Sequence, residues 1–191
     1  MTMKIQNSLV QACELIQKEQ LSVDEYLGQC VVQADALEPT LKAFTVRASL
    51  PTLIQQSGSG PLKGIPVAIK DLIDTKDFVT SYGSPIYQDF VPSEDAEIVK
   101  KIRKLGGVIF GKSVTTEFAW RKPGATTNPW NSGHTPGGSS SGSAAAVASG
   151  IVPLAIGSQT AGSIIRPASY CGIVGFKASY GAVPRQGVHP V

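Results

Sequence analysis

The chain has 191 residues, 42% of them hydrophobic and 16% charged, enough for one domain with a real core. Seventeen basic against fourteen acidic residues leave a formal charge of +3, too small a surplus for a nucleic-acid surface. Three widely spaced cysteines, Cys13, Cys30 and Cys171, show no CxxC and indicate neither a disulfide framework nor a metal site, so a reduced, cytoplasmic protein is expected. No stretch of eighteen apolar residues is present, and the first residues carry an amphipathic pattern rather than that of a signal peptide.

In chain order, Ile5, Leu9, Val10, Cys13 and Ile16 repeat at helical spacing over residues 5–20. Ser22 followed three residues later by Glu25 forms a capping box for a second helix ending near Leu37. Residues 44–46 and 65–69 read as strands, the second ending at Lys70. Ser93, Glu94 and Asp95 open a third helix whose apolar face is Ile98, Val99, Ile102 and Leu105, and Gly106 stops it. Residues 108–110 and 152–156 read as buried strands, and Ala144 to Ala148 as a helix stopped by Gly150. Alternating helices and strands predict an α/β domain with a largely buried sheet.

Two patterns mislead. Residues 106–113, GGVIFGKS, fit the phosphate-binding pattern GxxxxGK[ST], but a helix precedes the first glycine and the interior VIF is strand-like, so Lys112 reads as an ordinary lysine beyond a strand. His134 lies in a polar turn and His189 near the chain end. Neither is placed to activate a nucleophile, and no HxxxH or HxxE metal spacing occurs.

The segment from Pro136 to Pro167 has the composition of a linker at its start, GGSSSGS, but passes at once into a helix and an apolar strand. Small residues there let backbones approach and expose N–H groups, which an oxyanion site requires. A lysine such as Lys70, taken alone with Asp71 beside it, reads as a surface strand end, and a lone serine in AGS as a turn residue.

Together these blocks resemble the amidase signature family. The residues that carry the resemblance are Gly64-Ile-Pro-Val-Ala-Ile-Lys70-Asp, Gly137-Gly-Ser-Ser-Ser-Gly-Ser-Ala and Gly157-Ser-Gln-Thr-Ala-Gly-Ser-Ile-Ile-Arg-Pro, with Asn128-Pro-Trp130 and Tyr170 to Lys177 in support. The likeness runs from about residue 5 to the end. It implies an α/β amidase-signature fold with a mixed central sheet flanked by helices, incomplete at its C-terminal side. Residues 1–191 would be the N-terminal portion of one domain, with a helical region at about 5–40 and a catalytic core at about 41–191.

The implied chemistry is hydrolysis of a carboxylic amide to acid and ammonia or amine. The resemblance assigns Ser163 as nucleophile, Ser139 as bridging serine, Lys70 as base, and the backbone of Thr160, Ala161, Gly162 and Ser163 as oxyanion hole. Ser140 supports the site, and the peptide bond between Gly138 and Ser139 is expected to be cis. Lysine serves as a base only when neutral, and burial at the end of an apolar strand favours that form. Arg166, one helical turn beyond Ser163, is a candidate grip on a substrate carboxylate, with a purely structural pairing as the alternative. No cofactor or metal is expected. The expected partners are a small-molecule amide and, as the candidate assembly, a second copy of the chain, with neither nucleic acid nor membrane.

Two departures from the commonest pattern stand out. Gln159 replaces an aspartate, and Ile165 stands where an arginine is common. Both favour a stand-alone amidase over the glutamyl-tRNA amidotransferase component of the same family, its A subunit. That subunit is the rival enzyme reading, and a non-catalytic truncated remnant is the rival from another class.

Overall fold

The computed structural model describes residues 8–190, so Ile5 lies outside the described residues. Two helices come first, α1 (Leu9–Gln17) and α2 (Val23–Leu41). The expected capping box is present at the start of α2: Ser22 Oγ accepts from Glu25 N while the Glu25 carboxylate accepts from Ser22 N. Such a cap stabilises a helix by about 1 kcal/mol. The helix runs on through Pro39 to Leu41, past the expected end near Leu37. Glu38 makes this extension workable, because its carboxylate accepts from Ala43 N and Phe44 N just beyond the last turn.

A four-stranded mixed sheet follows, built from β1 (Phe44–Arg47), β2 (Pro66–Lys70), β3 (Val108–Ser113) and β4 (Leu154–Ile156) in the spatial order β1-β3-β2-β4. β1 runs antiparallel to β3, whereas β2 is parallel to both β3 and β4. The last strand is shorter than the expected 152–156. Val152 N closes the preceding helix onto Ala146 O, and Pro153 has no N–H to give to a ladder.

Four further helices complete the fold, α3 (Leu50–Gln56), α4 (Glu97–Lys104) and α5 (Ser141–Ala148) packing on the sheet and α6 (Ile165–Cys171) packing on α5. Sequence pattern alone missed α3, although Ser49 caps it and Pro51 sits in its first turn. The expected start of α4 needs correction. Ala96 is the cap residue and makes no side-chain cap bond. The Asp95 carboxylate is taken instead by Lys76 N and by the Arg103 guanidinium.

Each face of the sheet carries its own core. One unites Ala68 and Phe110 with α1, α2 and α5, and the other unites Val67, Ile69 and Ile109 with Val99 and Ile102 of α4. A fully buried Leu, Ile or Phe in such a core contributes about 1.5–3 kcal/mol. A bulge fixes which side chains face which core. Val67 pairs with Ile109 but Ala68 pairs with Gly111, so Phe110 is an extra residue in β3. One extra residue reverses the facing of all that follow. Beyond the bulge, Ser113 shares a face with its partner Lys70, and Lys112 shares the opposite face with Ile69.

Candidate active site

Lys70 ends β2, every residue of which is buried, and its own side chain is fully buried. Its Nζ lies 2.6 Å from Ser139 Oγ and 2.9 Å from Ser158 Oγ, with Ser158 O at 3.4 Å. Among the described residues no acidic side chain pairs with it. Burial therefore acts unopposed and pulls the Lys70 amine down to about 7. At neutral pH much of this lysine is in the unprotonated form that can accept a proton.

Ser139 and Ser140 lie in the turn that leads into α5, and the Gly138–Ser139 peptide is cis. Ser139 is held from the other side by Thr116, whose N–H donates to Ser139 O. The helix after it packs very tightly. A Cβ on Gly142 would lie 2.2 Å from Ala43 O and 2.4 Å from Val114 N, so only glycine lets α5 start so close to the ends of β1 and β3. Ser113 Oγ and Ser143 Oγ, 2.7 Å apart, join β3 to α5.

The loop after β4 completes the group. Ser140 stitches it down: its Oγ donates to Ser158 O and accepts from Ser158 N, and its backbone N–H donates to Ser163 O. Gly157 must be a glycine for this contact, since a Cβ there would lie 2.7 Å from Ser140 Oγ. The backbone N–H groups of Thr160, Ala161, Gly162 and Ser163 donate to nothing among the described residues. Four consecutive free amides, three of them in half-buried or exposed backbone, suit a developing negative charge on oxygen.

Gln159 braces this loop. Its Oε1 accepts from Ile164 N and Ile165 N at the start of α6, while its Nε2 donates to Ala161 O. An aspartate at this position has no N–H for Ala161 O, so the amide adds a contact that the commoner residue lacks.

Ser163 is nearly buried at 8% exposure, just before α6. The structure brings Lys70, Ser139 and Ser140 into direct contact with one another or with Ser158. It does not hydrogen-bond Ser163 Oγ to Ser139 Oγ or to any other described residue. The link between the two serine segments runs through the Ser140 N–H to Ser163 O contact, 3.2 Å long.

Arg166 is exposed, and its guanidinium lies along the same loop, 3.3 Å from where a Cβ on Gly162 would sit. It has no ion-pair partner among the described residues, so the structural pairing with a local acid is not seen. His134 is exposed, and the His189 ring stacks on Tyr82 at 4.4 Å. Neither histidine touches a candidate catalytic serine. Among the described residues no group of three or more His, Cys, Asp or Glu side chains could hold a metal ion, and no helix is long and apolar enough to cross a membrane.

One reading of the sequence is overturned here. Lys112 is no ordinary lysine beyond a strand: it lies within β3 and is fully buried. Its Nζ donates to Ile73 O and Thr80 Oγ1 and pairs with Asp71 at 3.4 Å. Sequence reasoning also missed Ser158, the second hydroxyl on Lys70. Its only signal was a hydroxyl residue five places before the proposed nucleophile.

Residues 24–191 match the Amidase family. The A subunit of glutamyl-tRNA(Gln) amidotransferase from Halothermothrix orenii is 42% identical over 92% of this chain and 38% of its own length. Its counterpart in Natranaerobius thermophilus is 53% identical over 68% of this chain and 28% of its own. Among solved structures, native peptide amidase from Stenotrophomonas maltophilia superposes with a TM-score of 0.90 at 32% identity, over 97% of this chain and 42% of that enzyme. The chain thus spans well under half the length of the relatives it matches. The mixed sheet flanked by helices, the order of the serine-rich segments and the match over residues 24–191 lead to one conclusion: the chain belongs to the amidase signature family.

Proposed function

We propose that this chain supplies the catalytic residues of an amide hydrolase, as the N-terminal portion of a single amidase domain. The observation that carries the reading is the fully buried Lys70 amine, 2.6 Å from Ser139 Oγ and without an anionic partner, beside a loop of four unpaired amides. In this scheme Ser163 Oγ attacks the amide carbon. Its proton passes through the Ser139 hydroxyl to neutral Lys70, and the carbonyl oxygen collects its charge against the amides of Thr160 to Ser163. The C–N bond then breaks as the proton returns through Ser139 to the leaving nitrogen. Water attacks the resulting ester at Ser163, releasing the acid and restoring the serine.

Arg166 lies along the same loop and offers a guanidinium to a substrate carboxylate. A cytoplasmic location accords with three cysteines that form no disulfide, and in this reading the enzyme acts on small amides, alone or as a homodimer. The test is turnover of a panel of amides by the full-length protein and by its Ser163→Ala variant. Hydrolysis that persists in the variant removes the scheme.

A second reading has its own support. Relatives at 42% and 53% identity are amidotransferase A subunits, and in that reading the same site releases ammonia from glutamine for a partner protein. Glutaminase activity that emerges only on addition of such partners would select it over the stand-alone enzyme.

A further inference from the structure

Between the end of β4 at Ile156 and the start of α6 at Ile165 the chain is neither helix nor strand, yet it carries the proposed nucleophile and its amides. Ser163 Oγ has no hydrogen bond to a described residue, so its place is set by the backbone that bears it. Such a loop holds its peptide groups in one direction only where side chains grip them.

The Ser163–Ile164 peptide is gripped at both ends. Its carbonyl accepts from the Ser140 N–H at 3.2 Å, and its N–H donates to Gln159 Oε1 at 2.9 Å. Both this peptide and the next one considered are trans, the cis bond being that of Gly138 and Ser139. In a trans peptide the C=O and N–H point in opposite directions, so Ser140 and Gln159 hold the loop from opposite sides. The Ala161–Gly162 peptide is held in the same sense. Its carbonyl accepts from Gln159 Nε2 at 3.0 Å, which turns the Gly162 N–H away from Gln159. Gln159 Oε1 also accepts from Ile165 N at 3.0 Å. One planar head thus supplies an acceptor and a donor together, which a carboxylate does not.

We infer that Gln159 is a positioning residue for the proposed reaction: it holds the far ends of two peptide groups and thereby aims the Gly162 N–H and the Ser163 backbone toward the side of the loop that Ser140 meets.

This role rests on the reading of Ser163 as nucleophile and of the Gly162 amide as one of the oxyanion donors. An amide aimed at a developing oxyanion contributes most once the carbonyl oxygen takes up charge, so loosening it should weaken the transition state and spare the bound amide. Gln159→Glu isolates the donor. Glutamate has the same length and keeps an acceptor for Ile164 N and Ile165 N, but it presents Ala161 O with an oxygen in place of an N–H.

The experiment uses the full-length protein and three probes that share one neutral acyl group. Turnover is followed with the p-nitroanilide, and affinity is measured for the trifluoromethyl ketone and for the matching alcohol. The serine Oγ adds to the ketone carbon, the carbonyl electron pair passes to oxygen, and the serine proton goes to Lys70; the alcohol forms no such adduct. Gln159→Glu should lower kcat about 10- to 100-fold with KM within about twofold of wild type, weaken the ketone by a similar factor and leave the alcohol unchanged. Equal losses for ketone and alcohol would mean a merely structural role, and a kcat within about twofold of wild type would mean none; either overturns the inference. If Gln159→Glu does not fold, Gln159→Met, which removes all three bonds without adding a charge, is judged by the same comparison of ketone and alcohol. Turnover that persists in Ser163→Ala would instead remove the reading of the site itself. An enzyme that needs Ser163 but is indifferent to Gln159 removes only the role of Gln159.

Discussion

Lys70 and Lys112 lie at the ends of adjacent parallel strands, both fully buried, yet their surroundings differ in one decisive respect. Lys112 feels three acidic side chains and donates to a carbonyl and a threonine hydroxyl. Lys70 faces two serine hydroxyls and a carbonyl. Desolvation acts on both, but only Lys112 has anions to oppose it. Burial by itself therefore does not make a lysine a base. In the proposed scheme burial without a counter-ion does, and the bulge at Phe110 keeps the two environments on opposite faces of one sheet.

The sharpest way to break this comparison is to delete the chemistry on the Lys70 side. Lys70→Ala should lower kcat by about 10⁴-fold, and Ser139→Ala and Ser163→Ala should do likewise. The triple variant should be little worse than the worst single one, because residues acting as a unit give non-additive losses. Steady-state turnover of a chromogenic amide measures all four. A Lys70→Ala enzyme within about tenfold of wild type would mean that the two lysines do not differ in function.

The comparison can also be sharpened by making Lys70 resemble Lys112. Ser158→Asp places a carboxylate where a hydroxyl now lies 2.9 Å from Lys70 Nζ. A neighbouring opposite charge shifts an ionisation by about 1–3 units. A rise of about two units from about 7 cuts the neutral fraction at pH 7 roughly fiftyfold. Activity should then recover as the pH is raised toward 9. A loss that is the same at every pH would point to misfolding rather than charge.

Arg166 gives a smaller and more selective effect. Arg166→Met should raise KM roughly 10- to 100-fold for an amide that carries a carboxylate, and leave a neutral amide unchanged. Equal changes for both substrates would reduce the arginine to a part of the loop. The mildest expected change is Ser158→Ala, which removes one of the two hydroxyls on Lys70. It should cost several-fold in kcat, in keeping with about 1 kcal/mol for one hydrogen bond. Its acid limb should move far less than that of Ser158→Asp.

Much of this arrangement was legible in the residues. The apolar run before Lys70 signalled a buried strand, Ser22 and Glu25 signalled their capping box, and the small residues of 137–148 signalled a tightly packed helix start. The role proposed for the serines came from the resemblance and not from spacing alone, since nothing local distinguishes Ser139 from Ser141.

What stayed hidden depended on contacts distant in sequence. Lys112 looked like an ordinary lysine beyond a strand because its counter-ion comes from Asp71 and its hydroxyl partner from Thr80, both more than thirty residues away. Ser93, Glu94 and Asp95 looked like a helix start because local pattern does not reveal that Arg103 and Lys76 claim the Asp95 carboxylate. Ser158 had no periodic signal at all, and its contact with Lys70 spans 88 positions.

The central claim is that a neutral Lys70 activates Ser163. Its most direct test is the rate of active-site labelling of the full-length protein by a fluorophosphonate, followed from about pH 5 to about pH 9 with the modified residue identified by mass spectrometry. The amine is charged below about 7 and free to accept a proton above it, so labelling should rise through pH 7 and level off at higher pH. The adduct should sit on Ser163 and vanish in Lys70→Ala. A pH-independent rate, or an adduct on any other residue, would contradict the account.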